Sequence, residues 1–116
     1  MENEKVFAMP FQKVYPMLIA KAEHKGRTRE DVLEVTAWLT GYTPAEILER
    51  MDTGLSYGDF FRQAPAPHPN RKLITGSICG IRVELIEDPL MREIRYLDKL
   101  VDELAKGKAM EKILRK

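Results

Sequence analysis

Asp88-Pro89 is followed by Leu90, Ile94, Leu97, Val101 and Leu104, apolar residues recurring at alternating spacings of four and three. Only an α-helix gathers such a spacing into one stripe. Asp88 supplies an N-cap oxygen, and Pro89 suits the first helical position, where a missing N–H costs nothing. Leu100 widens the stripe on one side, Met91 and Ala105 on the other, and Gly107 marks the stop. Asp102 and Lys106 form an i,i+4 pair in the favourable order. The reading is one long helix over 88–106. A stripe this broad must be covered, so the remaining residues have to fold around it.

Most of the remainder is also punctuated as helix. Val14, Leu18, Ile19 and Ala22 place a helical face over Lys13–His24, with Pro16 in its first turn or at a kink, and Gly26 after it. Thr28-Arg29-Glu30-Asp31 is a shortened capping box opening a face of Val32, Val35, Thr36 and Leu39, with Trp38 on its flank and Gly41 at its end. Thr43-Pro44-Ala45-Glu46 is a complete capping box with proline at N1, and Tyr42 can staple onto Ile47. Ser56-Tyr57-Gly58-Asp59 opens a short aromatic helix through Phe60 and Phe61, and Met110, Ile113 and Leu114 support a last short turn.

Two stretches break the pattern. Ala64-Pro65-Ala66-Pro67-His68-Pro69-Asn70 cannot be helix or interior strand, because alternate prolines remove backbone donors and hold an extended chain. A linker here would leave two halves too small for separate cores, so a stiff strap over a single core is expected. In Leu73–Ile86, Ile81, Val83 and Leu85 alternate with Arg82 and Glu84 as in a strand. A lone hairpin is marginal in water and no third strand is in view, so helix or irregular turn is preferred. The fold expected is all-α: one small orthogonal helical bundle over residues 1–116, with the 88–106 helix as its spine.

Bulk composition removes several functions. In 116 residues, 19 basic groups face 18 acidic ones, which argues against a strongly basic nucleic-acid sleeve. The balance is uneven, with 8 basic and 10 acidic groups in residues 1–64 against 11 and 8 in residues 65–116. The single Cys79 excludes an intramolecular disulfide and a cysteine zinc cage. His24 and His68 are too few for a histidine metal site, and no cofactor is expected. The acidic start lacks a signal peptide, and Met17–Ala20 is far too short to span a membrane. A cytoplasmic, reduced setting is the expectation.

Few residues point to chemistry. Cys79 could act as a nucleophile beside a histidine, but its apolar neighbours favour a small buried core residue. Glu84, Glu87 and Asp88 could do acid–base work; solvation, pairing with Arg82 and the capping duty of Asp88 account for them more simply. His68 reads as a solvated loop side chain, and His24 as a helix-end cation favoured by the dipole. Two basic clusters, Lys21, Lys25, Arg27 and Arg29, then Lys106, Lys108, Lys112, Arg115 and Lys116, could bind nucleic acid. Glu46 and Glu49 would make the helix after Gly41 a poor recognition surface. Thr75–Gly80 lacks the Gly-Lys-Ser/Thr ending of a phosphate loop.

Several strings carry a resemblance. Trp38-Leu39-Thr40-Gly41-Tyr42, Leu73-Ile74-Thr75-Gly76, Ile78-Cys79-Gly80 and Glu87-Asp88-Pro89-Leu90-Met91 belong with the run from Ile94 to Leu100. Together they resemble the small bacterial proteins of the domain of unknown function 2200 family, over about Phe7 to Arg115. The resemblance implies a bacterial cytoplasmic protein with a small, mainly helical fold, and it brings no catalytic or binding residue. The leading functional reading is therefore a non-enzymatic interaction module. The breadth of the 90–104 arc suggests a homodimer, unless the whole arc is core. The alternatives are a nucleic-acid binder using the two basic clusters, and an enzyme centred on Cys79 or the 84–88 acids.

Overall fold

The computed structural model describes residues 2–116, with side chains from Asn3 onward. Within these residues, seven helices and one two-stranded hairpin follow in order: α1 (Glu2–Ala8), α2 (Phe11–His24), α3 (Arg29–Thr40), α4 (Pro44–Arg50), α5 (Tyr57–Arg62), β1 (Ser77–Ile78), β2 (Ile81–Arg82), α6 (Pro89–Ala105) and α7 (Met110–Ile113). Short 3-10 turns at Pro69–Leu73 and Val83–Leu85 flank the hairpin. Helix accounts for 65% of the chain, so the mainly helical expectation holds.

The expected caps are in place. Thr28 accepts from the Asp31 N–H and Thr43 from the Glu46 N–H, each with the reciprocal bond of a full capping box. Ser56 accepts from the Asp59 N–H and Asp88 from the Met91 N–H. Each such bond satisfies an orphan donor and is worth about 1 kcal/mol. The stripe of α6 is buried along its length: Met91, Ile94, Leu97, Leu100, Val101 and Leu104 lie inside. Helices α2 and α3 cover most of it, with α5 and α7 closing the sides. An aromatic stack fills the α2–α5 contact, with Phe11 4.1 Å from Phe60 and 4.9 Å from Tyr15 between ring centroids.

Two local expectations are corrected, and one helix is added. Helix α2 starts at Phe11, two residues before Lys13, so Pro16 sits in the helix interior. Pro16 is exposed, so water can serve the Gln12 carbonyl it leaves without a donor. Helix α1 has no cap or stripe announcing it; docking on α5 holds it. Residues 77–82 form the hairpin that stood second to a helix or turn, pairing Ser77 with Arg82 and Ile78 with Ile81. A hairpin this small would not stand alone. Here Ile78 is buried against α6, Lys99 Nζ donates to the Ser77 carbonyl at 3.1 Å, and Val83 beyond it is fully buried.

The proline strap works through its non-proline residues. Ala66 and His68 alternate with Pro65, Pro67 and Pro69, and their N–H groups donate to the Thr40 and Leu39 carbonyls at 3.0 and 3.1 Å. Those carbonyls belong to the last turn of α3, where no helical donor remains. The strap thus completes the end of α3. His68 is correspondingly half-buried and structural, not a solvated loop side chain. Its ring stacks on Trp38 at 4.4 Å, and its Nδ1 accepts the Asn70 N–H at 3.0 Å.

Candidate functional site: an apolar cleft beside the hairpin

A concavity of about 550 Å³ lies where α1, the hairpin and the start of α6 meet. That falls in the range of roughly 300–1,000 Å³ typical of ligand sites. Val6, Ile81, Ile86 and Met91 form its apolar lining, with Asn3, Glu87, Asp88 and Arg95 around them. Three local devices set this shape. The Asp88 cap and Pro89 start α6 beside the cleft, Arg92 Nε donates to the Ile86 carbonyl at 2.8 Å, and the hairpin turn lifts Ile81 outward. Ile81 is 49% exposed and Leu85, next in the chain to Ile86, is 69% exposed. The apolar lining is therefore open to solvent at Ile81.

The hairpin turn places Cys79 where burial was expected to hold it. It is exposed instead. Cys79 has φ 53° and Gly80 φ 78°, the pair of positive values that a two-residue hairpin turn requires. A left-handed residue at a turn tip has no neighbours to bury it. The Sγ lies 3.8 Å from Arg95 Nη1, and that guanidinium is bonded to Asp98 Oδ2 at 2.8 Å. Burial pushes the Asp98 carboxyl above its ordinary range, against the opposing pull of Arg95. Neighbouring Tyr57 is sealed in the core, and burial followed by the Asp98 charge raises its phenol well above the usual value. The Tyr57 hydroxyl and Arg95 Nε are buried polar atoms without a hydrogen-bond partner among the described residues.

The three acids do not converge. Glu84 turns back to the hairpin, accepting the Gly76 N–H at 3.0 Å and pairing with Arg82 at 2.7 Å. Those bonds, the Gly76 amide foremost, hold its carboxyl down at about 2. Asp88 caps α6, while the Glu87 carboxylate stands exposed at the cleft with no ion pair among the described residues. Neither histidine joins Cys79: His68 is engaged with Trp38 and Asn70, and His24 is exposed in the last turn of α2.

A family model described as uncharacterized protein conserved in bacteria (DUF2200) matches residues 5–115. The chain belongs to this family. The crystal structure of uncharacterized protein SP1917 is similar over 96% of this chain and 91% of that one, with 56% identity and a TM-score of 0.92. No curated protein matches. The family's descriptions name no activity, so the site must be read from its own residues.

In this member of the family the two basic clusters meet in space, at the joined ends of α2 and α6, but most of their charge is matched. Arg27 bonds Asp31 and donates to the Lys108 carbonyl at 2.8 Å, closing the C-terminal end of α6. Asp102 holds Lys106 at 3.1 Å and Lys21 at 3.5 Å. Glu103, almost fully buried, takes a two-pronged bond from Arg115 at 2.6 and 2.8 Å, with Lys108 at 3.6 Å. Arg29 faces Glu30 at 3.7 Å; Lys25, Lys112 and Lys116 are exposed. Among the described residues no group of three or more His, Cys, Asp or Glu could hold a metal ion. Nor, among them, is any helix long and apolar enough to cross a membrane.

The cleft itself was not legible beforehand. Met91 reads as part of the α6 stripe and Ile81 as half of a strand alternation, while nothing marks Val6. The one usable signal is the unbroken 81–86 run, in which apolar residues alternate with Arg82 and Glu84 although only Val83 has a core to enter.

Proposed function

We propose that this protein is a non-enzymatic interaction module, acting as one folding unit in a reduced cytoplasmic setting, that binds a protein partner through the cleft beside the hairpin. One observation carries the reading. The α6 stripe from Met91 to Leu104 is buried within the chain, whereas Ile81 in the lining of an apolar concavity and Leu85, four residues on, are 49% and 69% exposed. Large exposed apolar residues gathered at a concavity mark interaction sites. The acids and Cys79 support no acid–base or nucleophilic pairing, and the exposed single thiol suits a reducing compartment.

The test is affinity capture with the wild-type chain and with Ile81→Asp/Leu85→Asp. Both side chains are well exposed and lie outside the core, so the variant is expected to keep the wild-type fold by circular dichroism. It is also expected to lose the captured partner. A partner retained by the folded variant would sink the reading.

The meeting of the basic clusters favours nucleic acid as the second reading, through Lys25, Lys112 and Lys116 with the weakly paired Lys21, Arg29, Lys106 and Lys108. Arg27 and Arg115 are committed to internal bonds. This reading requires binding that falls steeply with salt. Absence of binding to single-stranded or duplex nucleic acid at low salt would end it.

A further inference from the structure

From the charges around the cleft we infer the chemistry of its occupant: a protein segment whose apolar anchor residues are flanked by lysine or arginine. The inference rests on the cleft being a binding site, and adds which partner fits it.

The charged groups at the cleft decide the sign. Two cations stand there: Arg95, whose guanidinium is bonded to Asp98 at 2.8 Å, and Arg92, which donates to the Ile86 and Glu87 carbonyls at 2.8 and 3.3 Å and is turned to the backbone. Asp88 uses one carboxylate oxygen on the Met91 N–H and keeps its negative charge. Glu87 has no ion pair among the described residues and is exposed. With Arg95 matched by Asp98, Glu87 and Asp88 face the single charge of Arg92, so the balance beside the apolar lining is negative. A carboxylate on the occupant would meet like charge, and a bare apolar occupant would partly desolvate Glu87 without replacing its water. A cationic flank meets neither cost.

The shape favours a polypeptide over a compact small molecule. The apolar lining of Val6, Ile86 and Met91 ends at Ile81, which is 49% exposed, so the cleft opens to solvent there rather than closing into a chamber. The chain's own C-terminal stretch has the right composition, but Ile113 and Leu114 are buried in its own core.

The experiment titrates the full-length 15N-labelled protein with two synthetic peptides. Both carry the same leucines at helical spacing; one is flanked by lysines, the other by glutamates. The lysine peptide is expected to shift the amides of Val6, Ile81, Ile86 and Met91 and to bind more tightly than the glutamate peptide. Glu87→Gln/Asp88→Asn retains a capping oxygen at 88, and should weaken the lysine peptide about two- to fivefold for each exposed carboxylate neutralised. Added salt should narrow the gap between the peptides.

Equal binding of both peptides at these residues, unaffected by the double variant, overturns the charge inference and leaves the cleft as a binding site. Preference for the glutamate peptide overturns it likewise. Shifts elsewhere, or none with either peptide, remove the cleft reading and this inference together. Concentration-dependent shifts at the same residues without peptide would mean that a second copy is the occupant, which also overturns it.

Discussion

A Cβ placed on Gly41 would lie 2.7 Å from the backbone nitrogen of Ala66, so the end of α3 and the proline strap touch through the absence of a side chain. Gly41 also has φ 86°, a left-handed value that ends α3 cheaply only for glycine. The same approach lets Ala66 donate to the Thr40 carbonyl.

Gly41→Ala therefore carries two penalties. Left-handed strain costs about 1–2 kcal/mol. Moving the strap backbone and breaking its bonds brings the expected total to roughly 3–4 kcal/mol, within the range of overpacking effects. Gly54 has φ 73° and open space around it, so Gly54→Ala should cost only the ~1 kcal/mol of strain. Thermal unfolding of the two variants checks this; equal destabilisation would mean that the close approach of the strap contributes nothing.

Gly58 tests the cleft wall. It lies within α5, where alanine would gain roughly 1 kcal/mol of helix propensity, but its Cβ would stand 2.8 Å from Phe7 Cβ in α1. Gly58→Ala should push α1 away while the core stays folded. Amide exchange in residues 2–8 is expected to accelerate with little change in the melting temperature. Val6 would move with α1, so peptide binding at the cleft should weaken. Unchanged exchange in α1 would show that Phe7 yields without displacing the helix.

The Arg115–Glu103 bridge closes α7 onto α6. Removing one partner of a fully buried pair costs roughly 3–5 kcal/mol. Lys108 lies 3.6 Å from Glu103 and takes part of the load, so Arg115→Ala should cost less, about 2–3 kcal/mol. Arg115→Ala/Glu103→Gln removes the orphaned charge and should recover part of that stability. Urea denaturation of both variants gives the comparison, and a double variant no more stable than the single would argue against a charge-based cost.

Glu84 links the hairpin to acidity. Its folded carboxyl titrates at about 2, below the 4.5 of a free glutamate, so the bond to Gly76 favours the folded hairpin at neutral pH. A depressed acid contributes fully above its unfolded value and loses that contribution as pH falls through the folded one. The expected window is therefore pH 4.5 down to about 2. The Gly76 amide resonance should move in the wild type with a midpoint near the folded value of about 2 and stay still in Glu84→Ala. A Gly76 resonance that titrates near 4.5 would show that the bond does not persist in solution.

The boundary between what could be read and what could not follows the range of the interactions. Caps, proline positions and glycine stops act over three or four residues, so Thr28–Asp31, Thr43–Glu46, Ser56–Asp59 and Asp88–Met91 were legible from the letters alone. The α6 stripe was legible because its period repeats over 17 residues. Residues 77–82 were not, because the hairpin forms only when Ile78 and Lys99 are brought to one surface of α6 from 21 positions apart.

The sequence by itself determined the helices of residues 11–62, save the exact start of α2, and the long helix over 89–105, since those are settled by local hydrogen bonds and by side chains within one or two turns. It also determined that the alternating prolines would run without α-helix or strand, although Pro69 and Asn70, read as the end of the extended strap, open a 3-10 turn. Only the tertiary structure decided that the strap's remaining N–H groups finish α3, that α1 folds against α5, that Cys79 stands at an exposed turn, and that the basic clusters are largely neutralised. It alone built the cleft from Val6, Ile81, Ile86 and Met91. Their shared surface depends on distances between segments up to 85 residues apart, and no period or cap in the chain records such distances.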